Sequence, residues 1–372
     1  MISRDAARLH LEALATGPRP AGSPAEGRAR AYCARILADA GLQISEEPFE
    51  FSALPGRYAT PAFGAAAMGA LVAAAVFGSY GDALAALGTL LASVLMMAVL
   101  GTWLARRGVT GLRALRRRSV NLIARRGEPA VWLVAHLDSK SQPVPILLRA
   151  AGITMTGVVW LAAIGLAVTQ ALRAESAADG GAALAGWWPW LAGAGVLAAL
   201  PIAASFVGER SPGAVDNASG VATVLLAAQA AGEVPVGVLL TSAEELGLAG
   251  ARAWALSRPP GIAINCDGVD DAGTLAAMYS GRAPRPLLER FVRAAAAAGV
   301  TARHHRLLPG ILVDGVALAD AGWQVITITR GTMGTLRRIH TPDDDLRALD
   351  GTGVAEAARV MQRMTHDAVA AR

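Results

Sequence analysis

Residues 234–250 read VPVGVLLTSAEELGLAG. The first seven make a short apolar strand, and the small residues at the far end open a helix. Between them stand Glu244 and Glu245, side by side. In open α/β sheets, sites form beyond the carboxyl ends of the strands, which is where this pair falls. Adjacent carboxylates repel each other, so a buried site here requires something positive. At this point it stays open whether the two glutamates share one task or split two.

The pattern continues on both sides. ARAYCARILADAGLQISEEPFEF (residues 29–51) reads as a helix stopped by Gly41, then a strand. SVNLIARR (119–126), AVWLVAHLDS (130–139), GIAINCDGV (261–269) and WQVITITRG (323–331) read as strands. GVATVLLAAQAAG (220–232), GARAWALS (250–257), PRPLLERFVRAAAAAG (284–299) and the C-terminal residues 352–369 read as helices. Residues 1–15 read as an amphipathic helix, with Leu9, Leu11 and Leu14 near one face, and not as a cleavable signal. Strands alternating with helices predict an α/β fold, a mostly parallel mixed sheet flanked by helices.

The composition does not fit a chain wholly solvated by water. Charged residues make up 17% of 372, against about 25% in ordinary soluble domains. Mean hydropathy is +0.41. Four runs carry no charge: Tyr58 to Gly81, Ala83 to Ala105, Ala150 to Leu172 and Gly180 to Gly208. Each exceeds the ~20 residues that cross a hydrocarbon core. They predict four transmembrane helices arranged as two hairpins. The second span, with its mild AALG start, is expected to be the least apolar, and Pro201 to kink the fourth.

Between the hairpins, residues 106–149 hold nine Arg and one Lys against Glu128 and Asp138. The turns SYGD and RAESAADGGA hold at most one Arg each. The positive-inside bias places the basic segment in the cytoplasm. The expected protein is an integral membrane protein with one cytoplasmic domain in three pieces, 1–57, 106–149 and 209–372, interrupted by hairpins at 58–105 and 150–208. The basic stretch RALRRRSVNLIARR (113–126) adjoins a span and lacks interleaved aromatics, so it is expected to meet the lipid bilayer and not nucleic acid. Cys33 and Cys266 have no metal-binding spacing and read as ordinary reduced residues.

The polar residues that close the strands and loops are His136 and Asp138 in AHLDS, Glu244 and Glu245, Asp267 in INCDG, Asp216 in AVDNASG, and His340 in RIHTPDDD. Two imidazoles among several carboxylates form a donor set suited to Zn²⁺ or a similar divalent ion. Singly, each has a plain structural reading. Asp216 can cap the helix that starts near Ser219, and residues 343–345 read as a solvated turn. In this order, however, AHLDS, GAVDNASGVA, SAEELGLAGA, INCDG and IHTPDDDL resemble the successive motifs of the M28 family of zinc metallopeptidases, the co-catalytic aminopeptidase type. GPRPAGSPAEGRARAYCARILADAGL (17–42) is similar to the family's opening. The resemblance spans residues 15–350, and the two hairpins are its departure.

The resemblance implies roles. Asp216 would bridge two zinc ions, with Co²⁺ or Mn²⁺ as alternatives for this mixed set. His136 and Asp267 would complete one metal site, and Glu245 and His340 the other. Asp138 would orient a ligand from behind, and Glu244 would be the general base. The glutamates would therefore split the work. Asp314, in ILVDGVALADAG, falls where the family often writes Ser-Asp-His; flanked by Val313 and Gly315, it reads as a loop or supporting residue. His304 and His305 read as surface or structural residues and not as ligands.

The expected function is a membrane-anchored zinc exopeptidase, an aminopeptidase, acting on peptide substrates. Two alternatives stand beside it: a glutaminyl-cyclase-like acyl transferase using one zinc, and a non-catalytic scaffold on a peptidase fold. Nearly charge-free spans weigh against a transporter, and no Gly-x-Ser-x-Gly elbow surrounds Ser219 or Ser242. The second hairpin enters between His136 and Asp216. Either it only anchors the enzyme, or the catalytic mouth faces the bilayer and takes membrane-associated peptides. The oligomeric state is not fixed by the sequence.

Overall fold

The computed structural model describes residues 2–176, 182–308 and 310–370, and eight strands among them form one sheet. They are β1 (Gln43–Ser52), β2 (Arg116–Arg126), β3 (Trp132–His136), β4 (Val236–Thr241), β5 (Ile262–Val269), β6 (Thr274–Tyr279), β7 (Ala302–Arg306) and β8 (Gln324–Gly331). The order is β1-β2-β4-β3-β5-β8-β6-β7. The centre, β4-β3-β5-β8, is parallel. β2 runs antiparallel to β4 and to β1, and β6 runs antiparallel to β8 but parallel to β7. The mixed, mostly parallel α/β sheet is thus as expected; β6 and β7, of six and five residues, are additions.

β4 is buried along its whole length, which explains why it reads as an apolar run without alternation. Leu133 and Ala135 of β3 join Val236, Val238 and Leu240 of β4 in one core, with the helices Pro24–Asp39, Gly220–Ala230, Arg285–Ala297 and Thr352–Ala370. Val134 and Leu239 point to the opposite core, where Trp254 packs between Trp132 and Trp323 at centroid distances of 4.8 and 4.9 Å. The first helix, Arg4–Leu14, buries Ala7, His10, Leu11 and Leu14. That stripe at i, i+3, i+4 and i+7 excludes Leu9, which is exposed, contrary to the sequence reading.

This sheet and its helices form one compact unit, Met1–Ala53, Val109–Ser141 and Gly208–Arg372. Its chain breaks are closed by hydrogen bonds within the unit. Ser52 of β1 lies opposite Arg116 of β2, and the Ala53 N–H donates to the Leu115 carbonyl at 3.1 Å. Ser141 and Gly208 exchange two backbone hydrogen bonds, of 2.9 and 2.7 Å. Arg19 ties the loops together. Its buried guanidinium donates to the carbonyls of Leu14, Leu137, Pro212 and Gly213 at 2.6–3.0 Å.

The second unit, Leu54–Gly108 and Gln142–Val207, is helical. Four helices are long and apolar enough to cross a membrane: Leu54–Ser79, Ala83–Gly111, Ile146–Ala174 and Ala183–Ala203. Two begin before the charge-free runs do, because Arg57 and Arg149 lie inside them. The second helix is the most apolar, with mean hydropathy 2.3, and the fourth the least, at 1.4. The second was expected to be the least apolar; the Leu, Val and Met residues after Gly88 outweigh its AALG start. Residues 177–181, the middle of the second turn and the start of the fourth charge-free run, lie outside the described residues.

Small residues set the helix spacing in this unit. A Cβ on Gly64 would fall 2.4 Å from the Ala203 nitrogen, and one on Gly152 2.8 Å from the Ala198 carbonyl. Without a hydrophobic difference between lipid and side chain, such close backbone packing is what holds apolar helices together. Two buried polar side chains form a chain of hydrogen bonds: the Trp188 indole N–H donates to Gln170, whose amide donates to the Gly78 carbonyl.

Below the end of β4, the buried carboxyl of Glu26 accepts from the Gly22 N–H at 2.7 Å and pairs with the hydroxyls of Ser119 and Ser242. Burial, and then the charge of Asp138, push its pKa up to about 7 against those hydrogen bonds. The folded state therefore keeps this proton after the unfolded chain has released its own. The contribution is full below the unfolded value of 4.5 and is lost as pH rises toward 7. Glu26→Gln is expected to flatten the decline in stability across that window, measured by urea unfolding at several pH values. A variant that declines as steeply as the wild type would contradict it.

Candidate metal centre

The parallel strands deliver their last residues to one place. His136 ends β3, and Glu244 and Glu245 follow β4 in the turn Glu244–Leu246. That turn is tight: Ala243, Gly247 and Leu248 all have positive φ, at 56°, 104° and 61°. The left-handed region is unfavourable for residues with a Cβ, and here it reverses the chain so that both glutamates point back over the sheet. Asp267 lies near the end of β5. Asp216 comes from the loop before helix Gly220–Ala230. A Cβ on Gly220 would fall 2.2 Å from the Asn217 side chain and 2.4 Å from the Cys266 carbonyl, so only glycine lets this loop approach β5.

Two groups of donor atoms result, and Asp216 belongs to both. His136, Asp216 and Asp267 each bring one donor atom within 4.8 Å of the others, as do Asp216, Glu245 and His340. His136 Nε2 is 3.1 Å from Asp216 Oδ1 and 3.5 Å from Asp267 Oδ1. His340 Nε2 is 3.0 Å from Asp216 Oδ2 and 3.4 Å from Glu245 Oε1. All five residues expected as ligands from the sequence therefore converge. Glu244 Oε2 stands 4.0 Å from His136 Nε2 and belongs to neither group.

The donor set fits divalent cations. His136 Nε2 and Glu245 Oε1 are buried and have no hydrogen-bond partner among the described residues, although each faces groups of opposite character. Buried polar atoms are ordinarily paired; atoms that converge without bonding one another are arranged around a shared centre. The back of the His136 imidazole is satisfied, whereas His340 Nδ1 is buried without a hydrogen-bond partner among the described residues. His136 Nδ1 bonds the Asp138 carbonyl at 3.0 Å, which leaves Nε2 as the outward donor.

Asp138 does more than orient the imidazole. Its two carboxylate oxygens accept the backbone N–H groups of Glu244 and Glu245, at 3.1 and 3.2 Å. Asp344 does the same for the loop that carries Asp216, accepting from the N–H groups of Val215 and Asp216 at 2.8 and 3.2 Å. The reading of residues 343–345 as a solvated turn holds for exposed Asp343 but is corrected for Asp344, which is 1% exposed. Asp314 is fully buried and accepts from the Thr241 hydroxyl. His304 lies exposed on β7, with its neighbour His305, away from both groups.

The electrostatics follow from so many buried acids. Burial, and then the charges of Glu245, Asp267 and Asp314, raise the Glu244 pKa well above the carboxylate range, against the pull of His136. Burial pushes Asp314 and Asp344 up to about 7. Burial lowers the proton affinity of His136, but the surrounding carboxylates, Glu244 foremost, more than reverse it. Glu245 behaves differently: burial raises it, yet the ammonium of Lys140, 2.5 Å from Oε2, brings it down to about 2. Lys140 and Asp344 were not singled out in the sequence. A Lys directly after AHLDS was the available signal.

Residues 200–365 match peptidase family M28. No curated protein sequence matches the chain. Among solved structures, it is similar to an aminopeptidase from Aneurinibacillus sp. strain AM-1, with TM-score 0.56, 14% identity, and 98% of this chain and 94% of that one covered. It is similar to BSAP, a zinc aminopeptidase from Bacillus subtilis, with TM-score 0.57, 14% identity, and coverage of 99% and 96%. It is also similar to Fimbriiglobus ruber glutaminyl cyclase, with TM-score 0.53, 14% identity, and coverage of 98% and 95%. At such identities the structural likeness is one of fold, and it is the fold into which the matched segment carries Asp216, Glu244, Glu245, Asp267 and His340. Residues 200–365 thus match the M28 peptidase family, and the chain shares the fold of these aminopeptidases and of the glutaminyl cyclase.

Proposed function

We propose that this chain is a membrane-anchored, zinc-dependent exopeptidase, an aminopeptidase in which Glu244 is the general base. The observation that carries the reading is the sharing of Asp216 between two donor groups, with Glu244 beside them and outside both. Asp216 would bridge two cations, His136 and Asp267 would complete one site, and Glu245 and His340 the other. Bound there, two zinc ions supply Lewis acidity toward a peptide carbonyl and lower the pKa of water toward neutrality.

The chain's own residues do the rest. Glu244 accepts the proton of the attacking water and returns it to the leaving amine. Asp138 fixes the backbone of both glutamates at once, so the base keeps its position relative to the ligand beside it. Asp344 fixes Asp216 in the same manner. These contacts preorganise the site before substrate arrives, which is where most of the electrostatic advantage of an enzyme lies.

The apolar helices support anchoring as two hairpins, and the Arg-rich segment 106–149 supports a cytoplasmic catalytic unit. The chain leaves for the second helix pair after Ser141, one residue beyond the Lys140 that touches Glu245. That adjacency favours membrane-associated peptides as substrates. The reading as a glutaminyl cyclase draws on the likeness to solved cyclases, and it differs by needing one metal.

Three outcomes are expected. Detergent-purified protein should hold two zinc per chain and cleave aminoacyl substrates; Glu244→Gln should retain the metal and lose activity by about 10²–10⁴-fold. One metal with cyclisation of N-terminal glutamine would favour the cyclase instead. A protease added outside sealed cells should leave residues 209–372 intact, and their removal would overturn the cytoplasmic orientation. A peptide embedded in lipid vesicles should be cleaved more efficiently than a soluble dipeptide, and equal efficiency would sink the membrane-substrate reading.

A further inference from the structure

Part of the positive charge that the two glutamates require comes from the chain itself. Lys140 Nζ lies 2.5 Å from Glu245 Oε2, and the lysine side chain is 19% exposed. The other oxygen, Oε1, turns the opposite way: it is 3.4 Å from His340 Nε2, buried, and without a hydrogen-bond partner among the described residues. The two oxygens of one carboxylate are therefore sorted, one engaged by an ammonium and one aimed into the Asp216, Glu245 and His340 group. The Asp138 carboxylate holds the Glu245 N–H at 3.2 Å, so the side chain is steadied from its backbone as well.

We propose that Lys140 is a positioning residue that restricts Glu245 to ligating a cation through one oxygen, which keeps a coordination position at that half of the site free for substrate. The inference rests on the metallopeptidase reading. A carboxylate binds a cation through one oxygen or two. A compact ammonium with three donors on a flexible stem suits the task of engaging the second oxygen. Partners behind a ligand commonly decide how that ligand is presented. Lys140 stands at the edge of the site, and its ion pair is with Glu245, through which it acts on the donor group.

Cobalt(II) reports on the number of ligands, because its visible absorption weakens as ligands are added. Wild type, Lys140→Met, Lys140→Arg and the double variant Lys140→Met/Glu245→Gln are loaded with cobalt, and absorbance is expressed per bound ion. Lys140→Met should show lower absorbance per cobalt, since Oε2 is released to bind. Lys140→Arg, which keeps the cation, should restore the wild-type spectrum. The double variant should restore it too, because the glutamine has a single oxygen to offer. A Lys140→Met spectrum that superimposes on the wild type, or a double variant as weak as Lys140→Met, overturns the assignment to Lys140 and leaves the metal site standing. Wild-type protein that takes up no cobalt overturns the metallopeptidase reading, and this inference with it.

Discussion

The governing constraint in this protein is the repulsion among buried acids. Asp138, Asp216, Glu244, Glu245, Asp267, Asp314 and Asp344 are gathered at the ends of four parallel strands, all of them largely withdrawn from water. His136, His340 and Lys140 stand among them, and the buried Arg19 guanidinium also acts on Asp344, Asp138 and Asp216. Isolated charges in such a setting are strongly disfavoured, and a group left unpaired takes up a proton instead. The raised proton affinities of Glu244, Asp314 and Asp344 are that response. Cations at the two donor groups would reverse it, being the largest local charges in the site.

The acids fall into two kinds by what they hold. Asp138 and Asp344 bind backbone N–H groups and fix the loops that carry other acids. Asp216, Glu245 and Asp267 point inward with imidazole nitrogens opposite them. Glu244 has neither arrangement, which is the structural reason for giving it the mobile proton. The turn that carries both glutamates is bounded by positive-φ residues, Ala243 before it and Gly247 and Leu248 after it.

Much of this was legible in the sequence because His136, Glu244, Glu245 and Asp267 stand where strands stop. AHLDS, SAEEL and INCDG each join an apolar run to polar residues, and that change marks the strand end directly. What was not legible depends on contacts across the chain. Asp344 acts on residues about 128 positions away, and in sequence it is hidden within a run of three aspartates that has the composition of a turn. Lys140 meets Glu245 only because β3 and β4 are neighbours. β6 and β7 were missed because they are short and ARHHR carries little apolar signal. The four long apolar helices were found, but counting uncharged residues misplaced their ends, since a helix continues past an arginine without interruption.

The paired ends at Ser52–Arg116 and Ser141–Gly208 bear on how such a chain can arise. At each break the sheet unit already brings the departing and returning strands into hydrogen-bonding register. Whatever lies between them closes a loop whose ends are held together by the host, and the entropy of closing a loop grows only slowly with its length. A short turn and a pair of long apolar helices are thus nearly interchangeable at these two points as far as the sheet is concerned. The fold offers two sockets, and the helical unit is entered through them without interrupting any strand that carries the converging residues.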